Sequence, residues 1–198
     1  MSDLKLLLEA IAASDQQAAT ALLDATPSLV TTGLARDEEF FLAARSAQVY
    51  EGDTALHAAA FSYDTAMATQ LLGRGANIRA KNRRGAEPIH AAVMGGPGSA
   101  HWNPVQQRAV ILFLIDAGAD PNATAAGGVT PLHRAVRNRC SAAVGALLSA
   151  GADRSLANDS GSTASDLARW TTGRGGTGSA EAKAEQQIII ALLDGTSA

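Results

Sequence analysis

A four-residue phrase returns along this chain: Thr54-Ala55-Leu56-His57, Glu87-Pro88-Ile89-His90, Thr130-Pro131-Leu132-His133, and a degenerate Thr163-Ala164-Ser165-Asp166. His57 to His90 and His133 to Asp166 both span 33 residues, and His90 to His133 spans 43, one period plus ten. A period of this size describes units too small to bury a core alone, which must stack into a solenoid.

A second phrase keeps register with the first: Leu71-Leu72 before Gly75-Ala76-Asn77, Leu114-Ile115 before Gly118-Ala119-Asp120, and Leu147-Leu148 before Gly151-Ala152-Asp153. Its second apolar residue always precedes the next His or Asp landmark by 18. Thr followed by Pro reads as a helix N-cap and first turn, because the hydroxyl accepts an orphan backbone N–H and Pro has none to lose. The Leu-Leu pair closes a second helix, and the glycine supplies its left-handed stop. The following polar run, with Gly85, Gly127-Gly128 or Gly161, has the chemistry of a turn that carries the chain out and back.

Together these phrases resemble the ankyrin repeat, and the resemblance covers nearly the whole chain. It implies an all-α solenoid of about five stacked helix-turn-helix units joined by hairpin-like turns. The expected division of the single domain 1–198 is a capping helix pair at 1–30, an insertion at 31–52, full repeats at 53–84, 85–128 and 129–161, and a capping repeat at 162–198. In the first cap Leu4, Leu7, Leu8 and Ile11 fall at helical spacing.

Composition agrees. The chain of 198 residues is 46% hydrophobic but only 4% aromatic, so its core is made of small aliphatic side chains suited to closely stacked short helices. A net charge of -3 argues against binding a nucleic-acid backbone. One cysteine, Cys140, excludes an internal disulfide, and neither a leader pattern nor a spanning segment is read at the N-terminus, so a cytoplasmic protein with no membrane contact is expected. The Ala- and Gly-rich composition hints at a bacterial source.

Spacing exposes three insertions. Leu23 to His57 is 34 residues rather than 18, which places about 16 extra residues within 31–52, read as an extra helical turn or two. Ten more enter around 95–104 and twelve around 171–180, both between the two helices of a unit.

His57, His90 and His133 hold one equivalent position per unit, and the resemblance implies a structural hydrogen-bonding role for them. No metal is expected, since neither a His-Glu-x-x-His pattern nor paired cysteines occur. No cofactor is expected either. The Gly-rich run Thr172–Ser179 lacks the Gly-Lys-Ser/Thr ending of a phosphate loop, so a connector is the alternative to an anion-binding turn.

The basic group Arg79, Lys81, Arg83 and Arg84 is expected to meet the acidic Asp37, Glu38 and Glu39. No nucleophile, base and orienting acid stand at spacings that force a catalytic assignment, so the leading reading is a non-catalytic module. The resemblance implies a protein partner held on the concave face and finger-like turns, with Phe61, Tyr63, Val93, Met94, Arg134 and Arg137 as contact residues. The alternative, from a different class, is a small-anion binder or enzyme. Its cleft would be formed by the insertions at 95–104 and 171–180, with His101, Trp102, Asn103, Arg137 or Arg139, and Arg174.

Overall fold

The structure, a computed structural model, describes residues 2–169 and 179–195. Among them are ten α-helices in five consecutive pairs: α1 (Asp3–Ala12) with α2 (Gln16–Ala25), α3 (Ala55–Phe61) with α4 (Thr65–Gly73), α5 (Pro88–Ala92) with α6 (Pro104–Asp116), α7 (Pro131–Arg137) with α8 (Ser141–Ser149), and α9 (Ala164–Arg169) with α10 (Ala180–Asp194). First helices stack on first helices, α1 on α3, α3 on α5, α5 on α7 and α7 on α9, while α4, α6, α8 and α10 form the second layer. One continuous core runs between the layers, from Leu4, Leu7 and Leu8 through Leu56, Ile89 and Leu132 to Ile189 and Leu193.

The second phrase of the repeat ends its helix as its residues dictate. Gly75, Gly118 and Gly151 take φ of 94°, 104° and 88°. The next amide then folds back, so Ala76, Ala119 and Ala152 each donate at 2.9 Å to the carbonyls of Leu71, Leu114 and Leu147. This satisfies carbonyls that the helix end would otherwise orphan.

The first phrase does more than start a helix. In each unit the histidine Nδ1 accepts the N-cap amide three residues earlier, from Thr54 at 3.2 Å, Glu87 at 3.2 Å and Thr130 at 3.3 Å. That leaves Nε2 as the protonated nitrogen, and it donates across to the next unit's turn: His57 to the Ala86 carbonyl at 3.0 Å, His90 to Val129 at 3.2 Å, His133 to Ser162 at 3.0 Å. The turns are also tied by backbone bonds, Arg83 N to Glu51 O, Ala126 N to Arg84 O and Asp159 N to Gly127 O, at 2.8, 2.8 and 3.0 Å. In the last unit Asp166 accepts from both the amide and the hydroxyl of Thr163, at 2.8 and 2.7 Å.

The first insertion departs from expectation. Residues 31–52 do contain short 3-10 turns, Arg36–Glu38 and Ala43–Arg45, but also an antiparallel hairpin of β1 (Phe40–Leu42) and β2 (Ala47–Val49). Leu42 and Val49 turn to the core and Phe41 is 62% exposed, which is the period-two pattern of a strand rather than a helix. The 95–104 insertion is irregular, shortening α5 to five residues, while most of the 171–180 insertion lies outside the described residues.

Two predictions follow from the caps. Burial holds all three imidazoles below the ordinary histidine pKa, His90 at about 4. The unfolded chain takes up the His90 proton near 6.5 and the folded chain only near 4, so the unfolded state binds more protons in between, and His57 and His133 act in the same direction. The stability is complete above about pH 6.5 and is lost as pH falls through about 4, His90 alone accounting for up to about 3 kcal/mol. Urea titrations of wild type and His90→Ala are expected to differ by about 1–3 kcal/mol at pH 7.5 and to converge near pH 4. Glu87 has the opposite sign. Burial raises its carboxyl pKa, and its Oε2 is buried without a hydrogen-bond partner among the described residues. Glu87→Thr is expected to stabilise by about 1 kcal/mol at pH 7, a gain that shrinks as acid protonates the wild-type carboxyl.

Candidate functional site

Both described insertions fold back over the first-helix layer, and each is held by side chains the repeat does not require. The hairpin is anchored at one end by Arg45, whose Nε donates to the Ala12 carbonyl at 2.8 Å and whose Nη2 donates to Ser14 Oγ at 3.2 Å. These are groups at the C-terminus of α1, where the helix dipole favours a cation. Lys5 lies 4.4 Å above the Phe40 ring. At the other end Glu39 accepts from the Glu51 amide at 2.9 Å and pairs with Arg83, whose Nη2 reaches Oε2 at 3.1 Å. Hydrogen bonding to Arg83 is the chief reason the Glu39 pKa is lowered. Arg83 and Arg84 both stack on Tyr50, at 4.9 and 5.3 Å from the ring centre. The expected acidic-to-basic contact is therefore made by Glu39 and Arg83, with Arg36 pairing instead to Glu51 at 2.9 Å.

The second insertion is organised by Gln107, a fully buried polar residue in α6. Its Nε2 donates to the Ala92 and Met94 carbonyls, each at 3.0 Å, and its Oε1 accepts from Trp102 Nε1 at 2.9 Å and the Cys140 thiol at 2.7 Å. The Tyr63 hydroxyl donates to the same Met94 carbonyl, and Asn138 Nδ2 donates to the Val93 carbonyl at 2.8 Å. The loop presses so closely on the α7–α8 turn that a Cβ on Gly96 would sit 2.0 Å from the Asn138 carbonyl oxygen.

Between the two insertions lies a cavity of about 400 Å³ on the first-helix face. Its walls come from the hairpin (Leu42 to Tyr50), from α3 (His57, Ala58 and Phe61), from the Met94–Ser99 loop and from Arg134 of α7. Asp53 in the wall accepts the Tyr50 amide and Asn82 Nδ2, both at 2.8 Å.

The residues named from sequence separate on this framework. Phe61, Met94 and Arg134 line the cavity, and Arg137 is exposed one turn beyond Arg134. Tyr63 and Val93 do not present a contact surface: Val93 is fully buried, and Tyr63 is buried with its hydroxyl committed to Met94. Apolar packing and the Gln107 cluster claimed them first. The anion cleft drawn from the insertions at 95–104 and 171–180 loses two members in the same way. Trp102 is half-buried and its indole N–H is taken by Gln107, while Asn103 caps α6 by accepting from the Val105 and Gln106 amides, both at 3.1 Å. His101 is exposed, Arg139 occupies a left-handed turn conformation with φ 55°, and Arg174 lies outside the described residues. Cys140 is fully buried and burial raises its pKa, so it is a neutral thiol. Sequence reasoning missed Gln107, Arg45 and Asp53; Gln107 stands beside Gln106 and Arg108 in the polar first turn of α6, so nothing in the sequence marks it as buried.

Two stretches match models of known repeats: residues 51–83 match the ankyrin repeat, and residues 114–168 match ankyrin repeats in many copies. Ankyrin repeat and SOCS box protein 16 of Mus musculus is 35% identical over 117 residues, 58% of this chain and 25% of that protein. Protein fem-1 homolog A of Homo sapiens is 34% identical over 90 residues, 44% of this chain and 14% of that protein. E3 ubiquitin-protein ligase KEG of Arabidopsis thaliana is 38% identical over 86 residues, 43% of this chain and 5% of that protein. The chain thus spans about a quarter or less of the length of these relatives. They are eukaryotic, and a bacterial source finds no support in them.

The glycine contact yields a prediction. Gly96→Ala is expected to lower stability by about 1–3 kcal/mol through overpacking and to expose residues 95–103 to proteolysis. Gly73→Ala, at a site with nothing within 4 Å of the added carbon, should change neither the melting temperature nor the cleavage pattern by a comparable amount.

Proposed function

We propose, starting from a chain that carries ankyrin repeats and folds as an all-α ankyrin-repeat solenoid, that it is a non-catalytic binding module for a protein partner. The partner would lie on the first-helix face and the adjoining turns. The observation that carries this reading is the set Phe61, Met94, Arg134 and Arg137, which stand on or beside first helices of three successive units without being spent on the core. The turns next to them are held rigid by the inter-unit hydrogen bonds, so a surface is offered with little ordering cost on association. Mixed apolar and arginine chemistry is what interface centres favour. The relatives support interaction chemistry only in this general sense, and the ligase activity in one relative's name belongs to that protein. A cytoplasmic setting is part of the proposal, resting on the single cysteine.

The test is parallel affinity capture from lysate with wild type and a Met94→Glu/Arg137→Glu variant of matched melting temperature. A protein retained in stoichiometric amount by wild type and reduced at least about tenfold by the variant is expected, as central interface residues cost 1.4 kcal/mol or more. Equal retention by both chains would move the interface elsewhere, and retention of nothing would remove the partner reading.

A further inference from the structure

The cavity between the insertions has features that a flat partner surface does not need. Its volume of about 400 Å³ falls within the usual range for small-molecule sites. At organic-crystal packing this is room for roughly twenty non-hydrogen atoms. Much of the wall is apolar, with Leu8, Leu42, Val49, Ala58, Phe61 and Met94 contributing. The charged groups in it are unequally engaged. Asp53 is satisfied by Asn82 and the Tyr50 amide, and Arg45 by the end of α1. Arg134 is not: its guanidinium is half-buried, makes one hydrogen bond, from Nη1 to the His90 carbonyl at 3.3 Å, and forms no ion pair among the described residues.

Burial is the main reason the Arg134 pKa is lowered, and the neighbouring Arg84 and Arg137 add repulsion that Asp53 and Tyr50 only offset in part. A desolvated guanidinium with spare donors at the edge of an apolar cavity is electrostatically incomplete. The group that completes it is a planar anion able to accept two parallel N–H bonds, that is, a carboxylate. The rest of such a ligand is mainly apolar, since apolar side chains make up the larger part of the exposed wall and Asp53, Asn82 and His57 are already hydrogen-bonded within the protein.

We infer that the hairpin-walled cavity binds a small organic monocarboxylate, its carboxylate on Arg134 and its apolar body between Phe61, Leu42 and Met94. This goes beyond the partner reading and places the anion site between the first and second insertions. The two insertions then share a purpose: one supplies the Leu42 wall and the other the Met94 wall. Because Phe61, Met94 and Arg134 also face the partner surface, a bound carboxylate would change what a partner meets there.

The probe is 4-phenylbutyrate, with the uncharged 4-phenylbutanamide as control, followed by saturation-transfer NMR and calorimetry on the full chain. Wild type is expected to bind the acid with millimolar or tighter affinity and the amide at least about tenfold more weakly. Arg134→Gln should bring the acid down to the level of the amide. Ala91→Leu, which fills the cavity from the half-exposed side of α5 with a good helix former, should abolish binding of both. If Arg134→Gln fails to melt like wild type, Ala91→Leu and the acid-to-amide ratio decide. Equal binding of acid and amide overturns the inference, as does wild-type binding by Ala91→Leu. So does the absence of binding at millimolar concentration for 4-phenylbutyrate and for straight-chain acids from butanoate to decanoate. None of these results bears on capture by the Met94→Glu/Arg137→Glu variant, so the two readings fail separately.

Discussion

The imidazole that accepts its own N-cap amide and donates to the next unit's turn is the interaction on which this solenoid depends. A repeat of 33 residues cannot hold its turns by apolar burial, because the turns project from the helix layers. The neutral histidine solves this with one ring: the same tautomer that starts a helix locks the following turn at a fixed distance. The N-cap is Thr54 or Thr130 in two units and Glu87 in the third, yet the ring makes the same two bonds in each unit. The arrangement requires the rings to stay uncharged, and burial enforces that. It also makes acid the natural solvent challenge to the fold.

The two described insertions obey a different logic. They are anchored by polar residues placed once only, Arg45 at the end of α1, Glu39 on Arg83, Gln107 beneath the Trp102 loop. Gln107 is the most economical of these, since one buried amide gives the Ala92 and Met94 carbonyls their donors and the indole and the thiol their acceptor. A buried polar group with every atom paired costs little, whereas replacing it would orphan several groups at once. These two insertions are therefore ordered additions to the scaffold.

Together they turn an open first-helix face into a bounded cavity. An ordinary stack presents a shallow groove; here the hairpin stands on one side and the Met94–Ser99 loop on the other, with Arg134 reaching in from the next unit. The proposed partner surface and the cavity share residues, so a small ligand and a protein partner, if both bind, would be thermodynamically linked at this face, each changing the affinity of the other by the same factor.

The sequence by itself determined the period, the helix starts and stops, the five helix pairs and the positions of the first two insertions. Each of these is local chemistry: a Thr-Pro cap, a glycine after a Leu-Leu pair, a count of residues. It also marked the histidines as structural and brought Glu39 toward Arg83. It did not determine what the extra residues become, because Phe40–Leu42 and Ala47–Val49 are too short for periodicity to separate strand from helix, and the pairing of the two decides. Nor could it tell that Tyr63, Val93, Trp102 and Asn103 are consumed internally while Phe61, Met94 and Arg134 face a cavity. Those outcomes depend on which side of a packed layer each residue meets. That is set by contacts between Gln107, Cys140 and Asn138 and a loop up to 45 residues away in the chain, and tertiary packing alone brings them together.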